Sequence, residues 1–363
     1  MEESGRAVGR RTTLAQVARE LGVSPMTVSN AYNRPDQLSA DLRRRVLQTA
    51  RRLGYAGPDP LARSLRRGGT GAVGVIYDSP LSYAFEDAAA VRFLGGVSHV
   101  GEESQTGLLL VAGSSAEDRD VSPIAKALVD GFVVYSVAEG DPILQAALER
   151  RLPTVIVDQP RVDSVPFVAI DDETAAEAIA DHLLDLGHRR IGVVSFSLSP
   201  GARVRIADVS RQLAAAYRVT RLRLRGYASA AERRGIPWSD VRVCECPGSS
   251  RALGHQAAEV LLSLSPRPTA VVGLSDELAL GAIDAIQGRG LFVPGDVSVV
   301  GFDDVPAAAY ASPALTTVNQ DHFEKGRVAA ELLAKQSRGA EAPNAHILES
   351  RVVVRASTAP PPS

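Results

Sequence analysis

The chain predicts an all-α helix-turn-helix headpiece followed by an α/β core of parallel sheets. Three observations carry that prediction. Residues 13–33, TLAQVARELGVSPMTVSNAYN, hold two short amphipathic helical patterns joined by a glycine. Charge is split along the chain: residues 1–67 hold 13 Arg, no Lys and 6 acidic residues, a net of +7. Of the chain's 40 basic and 42 acidic residues this leaves 27 and 36, a net of −9, for everything that follows. From residue 72 onward, apolar runs alternate with helical patterns, the mark of an α/β class.

In the head, Leu14, Val17, Ala18 and Leu21 recur at three- and four-residue spacing and share one face of a first helix. Gly22 supplies the left-handed backbone that a helix end requires. Ser24 caps a second helix, and Pro25 sits in its first turn, where no N–H is needed. Val28 and Ala31 face inward, leaving Pro25, Met26, Thr27, Ser29, Asn30 and Asn33 on or near the outside. A short helix with a small, polar, uncharged outer face suits a DNA major groove. Ser39 caps a third helix over about 40–53, with Leu42, Val46, Leu47 and Ala50 inward and Arg43, Arg44, Arg45, Arg51 and Arg52 outward. Three helices sharing one apolar face make a small but workable core. A helical hairpin packed on something else would show the same spacing, and a charge run is often just a solvated face. Their coincidence favours phosphate binding, and an acidic body resists non-specific sticking to DNA.

Next, the stretch GYAGPDP, 54–60, breaks the helical pattern with two glycines and two prolines. LARSLRR, 61–67, is a short amphipathic segment before Gly68-Gly69, and on composition alone it is an interdomain linker. The remaining ~290 residues suffice for two lobes. Strands are predicted at 72–78, 107–113, 131–136, 154–159, 189–196, 269–276 and 297–304, with a strand-like stretch at 347–358. Helices are predicted at about 86–104, 172–186 and 210–235. Strands continuous in Val, Ile and Leu are buried on both faces and parallel, and such sheets bind ligands at their carboxyl ends. Asp78, Asp158, the Ser275-Asp276 pair and the Asp303-Asp304 pair end these strands, where each is also an ordinary turn or cap residue. Trp238 and Phe85 are candidates either for stacking on a ring or for packing.

Thr13-Leu14, Val17-Ala18, Gly22-Val23-Ser24, Thr27-Val28-Ser29, Asn33, Ser39, Gly54-Tyr55 and Ala62-Arg63-Ser64-Leu65 together resemble the LacI/GalR family of bacterial transcriptional repressors. The resemblance covers nearly the whole chain. It implies a two-lobed core of the periplasmic-binding-protein type I architecture, crossed by three strands. The implied division is a DNA-binding domain at 1–57, a hinge helix and linker at 58–71, an effector core at 72–358 and a tail at 359–363. Within the core, one lobe takes about 72–172 and 321–348, the other about 173–320 and 349–358. By the same resemblance, Ser24, Pro25, Met26, Thr27, Ser29, Asn30 and Asn33 enter the major groove, with Pro25, Met26 and Asn30 reading base edges. Thr13, Gln37 and Ser39 touch phosphate. Ala62 and Leu65 belong to a hinge helix that enters the minor groove, where Leu65 wedges between central base pairs. Asp78, Asp158, Arg223, Ser275 and Asp303 line the effector cleft. Carboxylates with one arginine suit the hydroxyls of a sugar, and a nucleobase or polyol almost as well.

Other classes fare worse. There is no P-loop, no GxSxG elbow and no HExxH motif, so no catalytic constellation is expected. Cys244 and Cys246 are the only cysteines, too few for a structural zinc site and best read as reduced thiols on a strand. No metal and no cofactor are expected. The chain has no membrane-length apolar run and no signal-peptide pattern, so a cytoplasmic, nucleoid-associated protein is expected. A solute-binding protein of the same core would have no use for residues 1–67. The expected partners are double-stranded operator DNA, a small-molecule effector and a second copy of the chain, because two-fold symmetry matches a palindrome. Against the family it resembles, residues 198–220 are a longer connection, an insert expected to belong either to the cleft rim or to a dimer interface.

Overall fold

A computed structural model describes residues 12–57, 69–77, 80–112, 120–199 and 201–362. Ala62, Leu65 and Asp78 lie outside these. The chain divides into two compact units, Met1–Thr70 and Gly71–Ser363.

In the first unit, α1 (Leu14–Leu21), α2 (Pro25–Asn33) and α3 (Ala40–Arg52) pack around Val17, Ala18, Val28, Ala31, Val46 and Ala50. Gly22 ends α1 at φ +65, and no atom lies near where its Cβ would be, so backbone conformation alone selects glycine. Ser24 accepts the Thr27 N–H at 3.0 Å and starts α2. Ser39 accepts that of Leu42 at 3.3 Å and starts α3. Leu42 packs on the core, whereas Leu47 is only half-buried and stays outside the buried cluster.

The second unit holds two large sheets. The first runs β1 (Ala72–Tyr77), β2 (Gly107–Ala112), β3 (Gly131–Tyr135), β4 (Thr154–Val157), β5 (Phe167–Ile170) and, from far along the chain, β12 (Ala345–Leu348). All pair in parallel, in the order β12-β5-β4-β3-β1-β2. The second contains β6 (Ile191–Ser195), β7 (Arg205–Ala207), β8 (Arg242–Glu245), β9 (Ala270–Gly273) and β10 (Ser298–Val300), ordered β10-β9-β6-β8-β7. Only β7 is antiparallel there. A short antiparallel pair, β11 (Thr317–Asn319) with β13 (Arg351–Val353), completes the unit. Apolar clusters fill both faces of the first sheet, and a larger one surrounds the second. Burial on both faces is what continuous Val and Ile runs require.

Several boundaries differ from the sequence reading. The 86–104 helix is two, Tyr83–Glu86 and Ala88–Ser104, because Asp87 leaves helical geometry to accept the Ala90 N–H at 2.7 Å. The 210–235 helix is also two, Val209–Leu213 and Arg218–Arg233, parted where Ala216 N–H turns to the Leu198 carbonyl at 2.7 Å. β4 stops at Val157 because Asp158 takes φ +64, and β10 stops before Asp303, at φ +123. The 347–358 stretch divides between β12 and β13, in different sheets. The 198–220 insert contributes β7, an added edge strand on β8. Helices Asp172–Asp185 and Arg218–Arg233 pack backbone to backbone at Gly226, where a Cβ would sit 2.3 Å from the Glu173 carbonyl oxygen.

Candidate functional site

The outer face of α2 is built by its caps. Ser24, Pro25 and Met26 are exposed at its start, Met26 with 68% of its surface in solvent. Thr27, Ser29, Asn30 and Asn33 follow, half-buried. Local bonds restrain the longer of these. Asn30 donates to Gln37 Oε1 at 3.1 Å, and Asn33 to the Ser29 carbonyl at 3.1 Å and to its hydroxyl at 3.2 Å. Thr13, Gln37 and Ser39 are all exposed. On α3, Arg44 pairs with Asp41 and Arg52 reaches back to Glu20. The result is a short, uncharged ridge on a basic unit, chemistry that fits a groove floor flanked by phosphates.

In the second unit, a cavity of about 490 Å³ is lined from the carboxyl ends of both large sheets. Of the residues singled out from the sequence, Asp158, Arg223, Ser275 and Asp303 line it. Arg223 is buried and held on three sides. Its Nε donates to Asp172 at 2.9 Å, its Nη1 donates to the Leu274 carbonyl at 2.7 Å, and the guanidinium lies 3.6 Å from the Phe302 ring centre. Burial raises the Asp172 carboxyl above its ordinary range, against the pull of Arg223. Ser275 acts as both cap and wall: it accepts the Leu278 N–H at 3.2 Å and meets the Ser249 hydroxyl at 2.7 Å. Asp158 receives the ammonium of Lys325 at 2.6 Å. Lys325 also donates to Gln320, which donates to Asp303, so a chain of side chains joins the two aspartates. His322 Nε2 faces Asp303 at 3.4 Å.

Asp276 and Asp304 stand apart from the cavity. Asp276 is buried and accepts from the Val305 N–H at 2.8 Å and the Thr317 hydroxyl; burial, then Asp303, pushes its pKa well up. Asp304 pairs with Arg355 at 2.5 Å. Trp238 donates to Gln212 at 2.8 Å inside the fold, and Phe85 is exposed; neither lines the cavity. The aromatic walls are instead Tyr77, Tyr83, Tyr135, Phe196 and Tyr217. Tyr77 and Tyr135 end β1 and β3, a signal available from the carboxyl-end rule. Asp87, Gln159, Gln320 and His322 also line the cavity without having been singled out. Gln159 Oε1 accepts the Val219 N–H at 2.8 Å, so a residue following the first sheet caps a helix of the second. The insert reaches the cavity through Gly201 and Tyr217. Cys244 and Cys246 are free and buried, and burial pushes each thiol up to about 12.

Two family models match the chain. One, described as bacterial regulatory proteins of the lacI family, covers residues 13–57; the other, a periplasmic binding protein-like domain, covers 180–358. An HTH-type transcriptional regulator of Mycobacterium tuberculosis is 46% identical over 357 residues, 98% of each chain. Among solved structures, the lac repressor dimer bound to operator and an anti-inducer superposes with a TM-score of 0.76 at 25% identity. That match covers 96% of this chain and all of the other. A complex of the transcriptional regulator CelR with cellobiose gives 0.68 at 27% identity, with the same coverage.

Proposed function

The chain belongs to the LacI family of bacterial transcriptional regulators, with a helix-turn-helix DNA-binding unit and a periplasmic-binding-protein-like core, and from that premise we propose how it works. It acts as a repressor that binds a palindromic operator as a homodimer under control of a small molecule, a sugar or related metabolite. One observation carries the reading: a basic unit with an exposed, uncharged recognition ridge shares its chain with a core that encloses a polar, aromatic-walled cavity. The two relatives bound to operator and to cellobiose support each half by similarity.

In this reading Ser24, Pro25, Met26, Thr27, Ser29, Asn30 and Asn33 enter the major groove, and Thr13, Gln37 and Ser39 hold phosphates. Ala62 and Leu65 serve the minor groove, and Asp78, Asp158, Arg223, Ser275 and Asp303 hold the effector. Phosphate neutralisation supplies affinity that falls with salt, and base-edge contacts supply choice of sequence. An effector acts only through different affinities for two states of the dimer, by a coupling of about 1–3 kcal/mol.

A salt-dependent gel shift with DNA from upstream of the protein's own gene tests the reading. The intact chain is expected to retard a palindromic fragment, and a chain lacking residues 1–67 is not. Leu65→Ala is expected to weaken specific binding far more than non-specific binding. Failure of the intact protein to bind such DNA at low salt, with and without sugars, sinks the proposal.

A further inference from the structure

We infer that the cavity takes an uncharged polyhydroxy compound and rejects phosphorylated or carboxylated ones, an inference that rests on reading this cavity as the effector site. Among the described residues, the arginine of the wall and the lysine behind it are both engaged within the chain. Arg223 is the one arginine among the described residues lining the cavity, and Asp172, the Leu274 carbonyl and the Phe302 ring hold it. The Lys325 ammonium is bonded to Asp158 and Gln320. Arg218, adjacent in sequence to wall residues, is not itself in the wall: its guanidinium lies 5.4 Å from the Phe167 ring centre, and its Nη1 is buried with no hydrogen-bond partner among the described residues.

Helix N-termini are the other ready anion sites, because their first N–H groups lack partners. Here three helix starts at the cavity wall each have an N–H taken by a side chain of the chain itself. Asp87 takes the Ala90 N–H at 2.7 Å, Ser275 takes that of Leu278 at 3.2 Å, and Gln159 takes that of Val219 at 2.8 Å. The remaining charge points the same way. Asp87, Asp158 and Asp303 are in the wall and Asp172 lies against Arg223, four carboxyl groups against the two cations Arg223 and Lys325. An incoming anion would meet like charge in a space partly shielded from water, where repulsion is strong.

Hydroxyl groups meet the opposite situation. They donate to carboxylates and accept from neutral donors. Tyr77 Oη and His322 Nδ1 belong to wall residues no more than 4% exposed, and neither atom has a hydrogen-bond partner among the described residues. Buried polar atoms left in that state are costly, and a ligand hydroxyl that reached either one would relieve that cost. Tyr77 and Tyr135, tilted with ring centres 5.3 Å apart, add an apolar surface for the C–H face of such a compound.

The test is calorimetric titration of the full-length protein with matched compounds. The panel is ribose and ribose 5-phosphate, glucose and glucose 6-phosphate, glucitol and gluconate, and glucosamine. At least one neutral member is expected to bind about tenfold or more tightly than its anionic counterpart, and Asp87→Asn or Asp303→Asn is expected to narrow that gap. A phosphate ester or carboxylate that matches or exceeds its neutral parent overturns the inference but leaves the effector reading intact. Tighter binding of glucosamine than of glucose overturns it in favour of a cation site. Silence across the panel overturns the inference together with the effector reading.

Discussion

Lys325 places its ammonium 2.6 Å from the carboxylate of Asp158, with none of the lysine side chain exposed and only 9% of the aspartate's. The two differ in their access to water, since Asp158 lines the cavity and Lys325 does not. Removing one partner of a buried pair strands the other, at a typical cost of about 3–5 kcal/mol. Asp158→Asn strands the fully buried ammonium, whereas Lys325→Met leaves a carboxylate at a wall that solvent reaches. Asp158→Asn is therefore expected to destabilise the core more than Lys325→Met, measured by urea denaturation. Backbone strain does not confuse the comparison, because Asn tolerates the φ of +64 at this position as well as Asp does. Equal losses would contradict the account.

Glu245 ties the 198–220 insert to β8. Its carboxylate accepts from Arg205 at 2.5 Å and from Arg211 at 2.7 and 2.9 Å. Burial pushes its pKa up, but the bonds from Arg211 and Arg205 outweigh burial and hold it below the ordinary value. A carboxyl lowered by folding contributes stability that is present above its unfolded pKa, about 4.3, and is lost as pH falls through the folded value. Glu245→Gln is expected to cost roughly 1–3 kcal/mol at pH 7, the scale of charge-assisted bonds, with the gap to wild type closing under acid. Thermal melts of both proteins from pH 7 to pH 3 would check it; a gap that widens under acid refutes it.

Much of this was legible in the sequence, for reasons that also explain what was not. The helices of the head announce themselves through Val17, Val28 and Val46, whose spacing is local, and through Gly22 and Ser24, whose roles are set by their own backbones. The long Val and Ile strands were legible because burial on both faces leaves a continuous apolar run. β5, β7 and β8 are short, and charged Arg205, Arg242 and Glu245 hide the last two; only their neighbours in the sheet make them strands. In the cavity, Asp158, Ser275 and Asp303 follow strand ends and so could be named. The Lys325–Gln320 relay could not, because its partner Asp158 lies 167 positions away. Arg223 could be named only through the family resemblance, and that it is already held by Asp172 and Leu274 is a tertiary fact.

Gly226 is constrained by contact and not by conformation. A Cβ there would lie 2.3 Å from the Glu173 carbonyl oxygen and 2.8 Å from Ala176 Cβ, so Gly226→Ala must move one helix backbone from another. Overpacking of cores costs typically about 1–3 kcal/mol, and backbone obstacles place this change at or above the top of that range. Gly235→Ala is the contrast: at φ +72 with no atom within 4 Å, it meets only the left-handed penalty of about 1–2 kcal/mol. Melting temperatures of the two variants are expected to rank Gly226→Ala lower, and the reverse order would show that the two helices yield easily.

Met26 and Ser24 separate two ways of weakening a DNA-binding unit. Ser24 holds the first turn of α2 through the Thr27 N–H, so Ser24→Ala is expected to cost about 1 kcal/mol of helix stability. Its effect on binding should fall on every DNA sequence alike, since the whole ridge loosens. Met26 carries no cap and projects into solvent from that same turn. Met26→Ala removes apolar reach from one point on the ridge and leaves charge untouched. The slope of affinity against salt reports the number of phosphates neutralised, so it should not change, whereas preference at one base position should relax. Sequencing of bound fragments selected from a random pool, with a salt titration on the best of them, reads both quantities. A uniform loss across sequences for Met26→Ala, or a shallower salt slope, would remove Met26 from base reading.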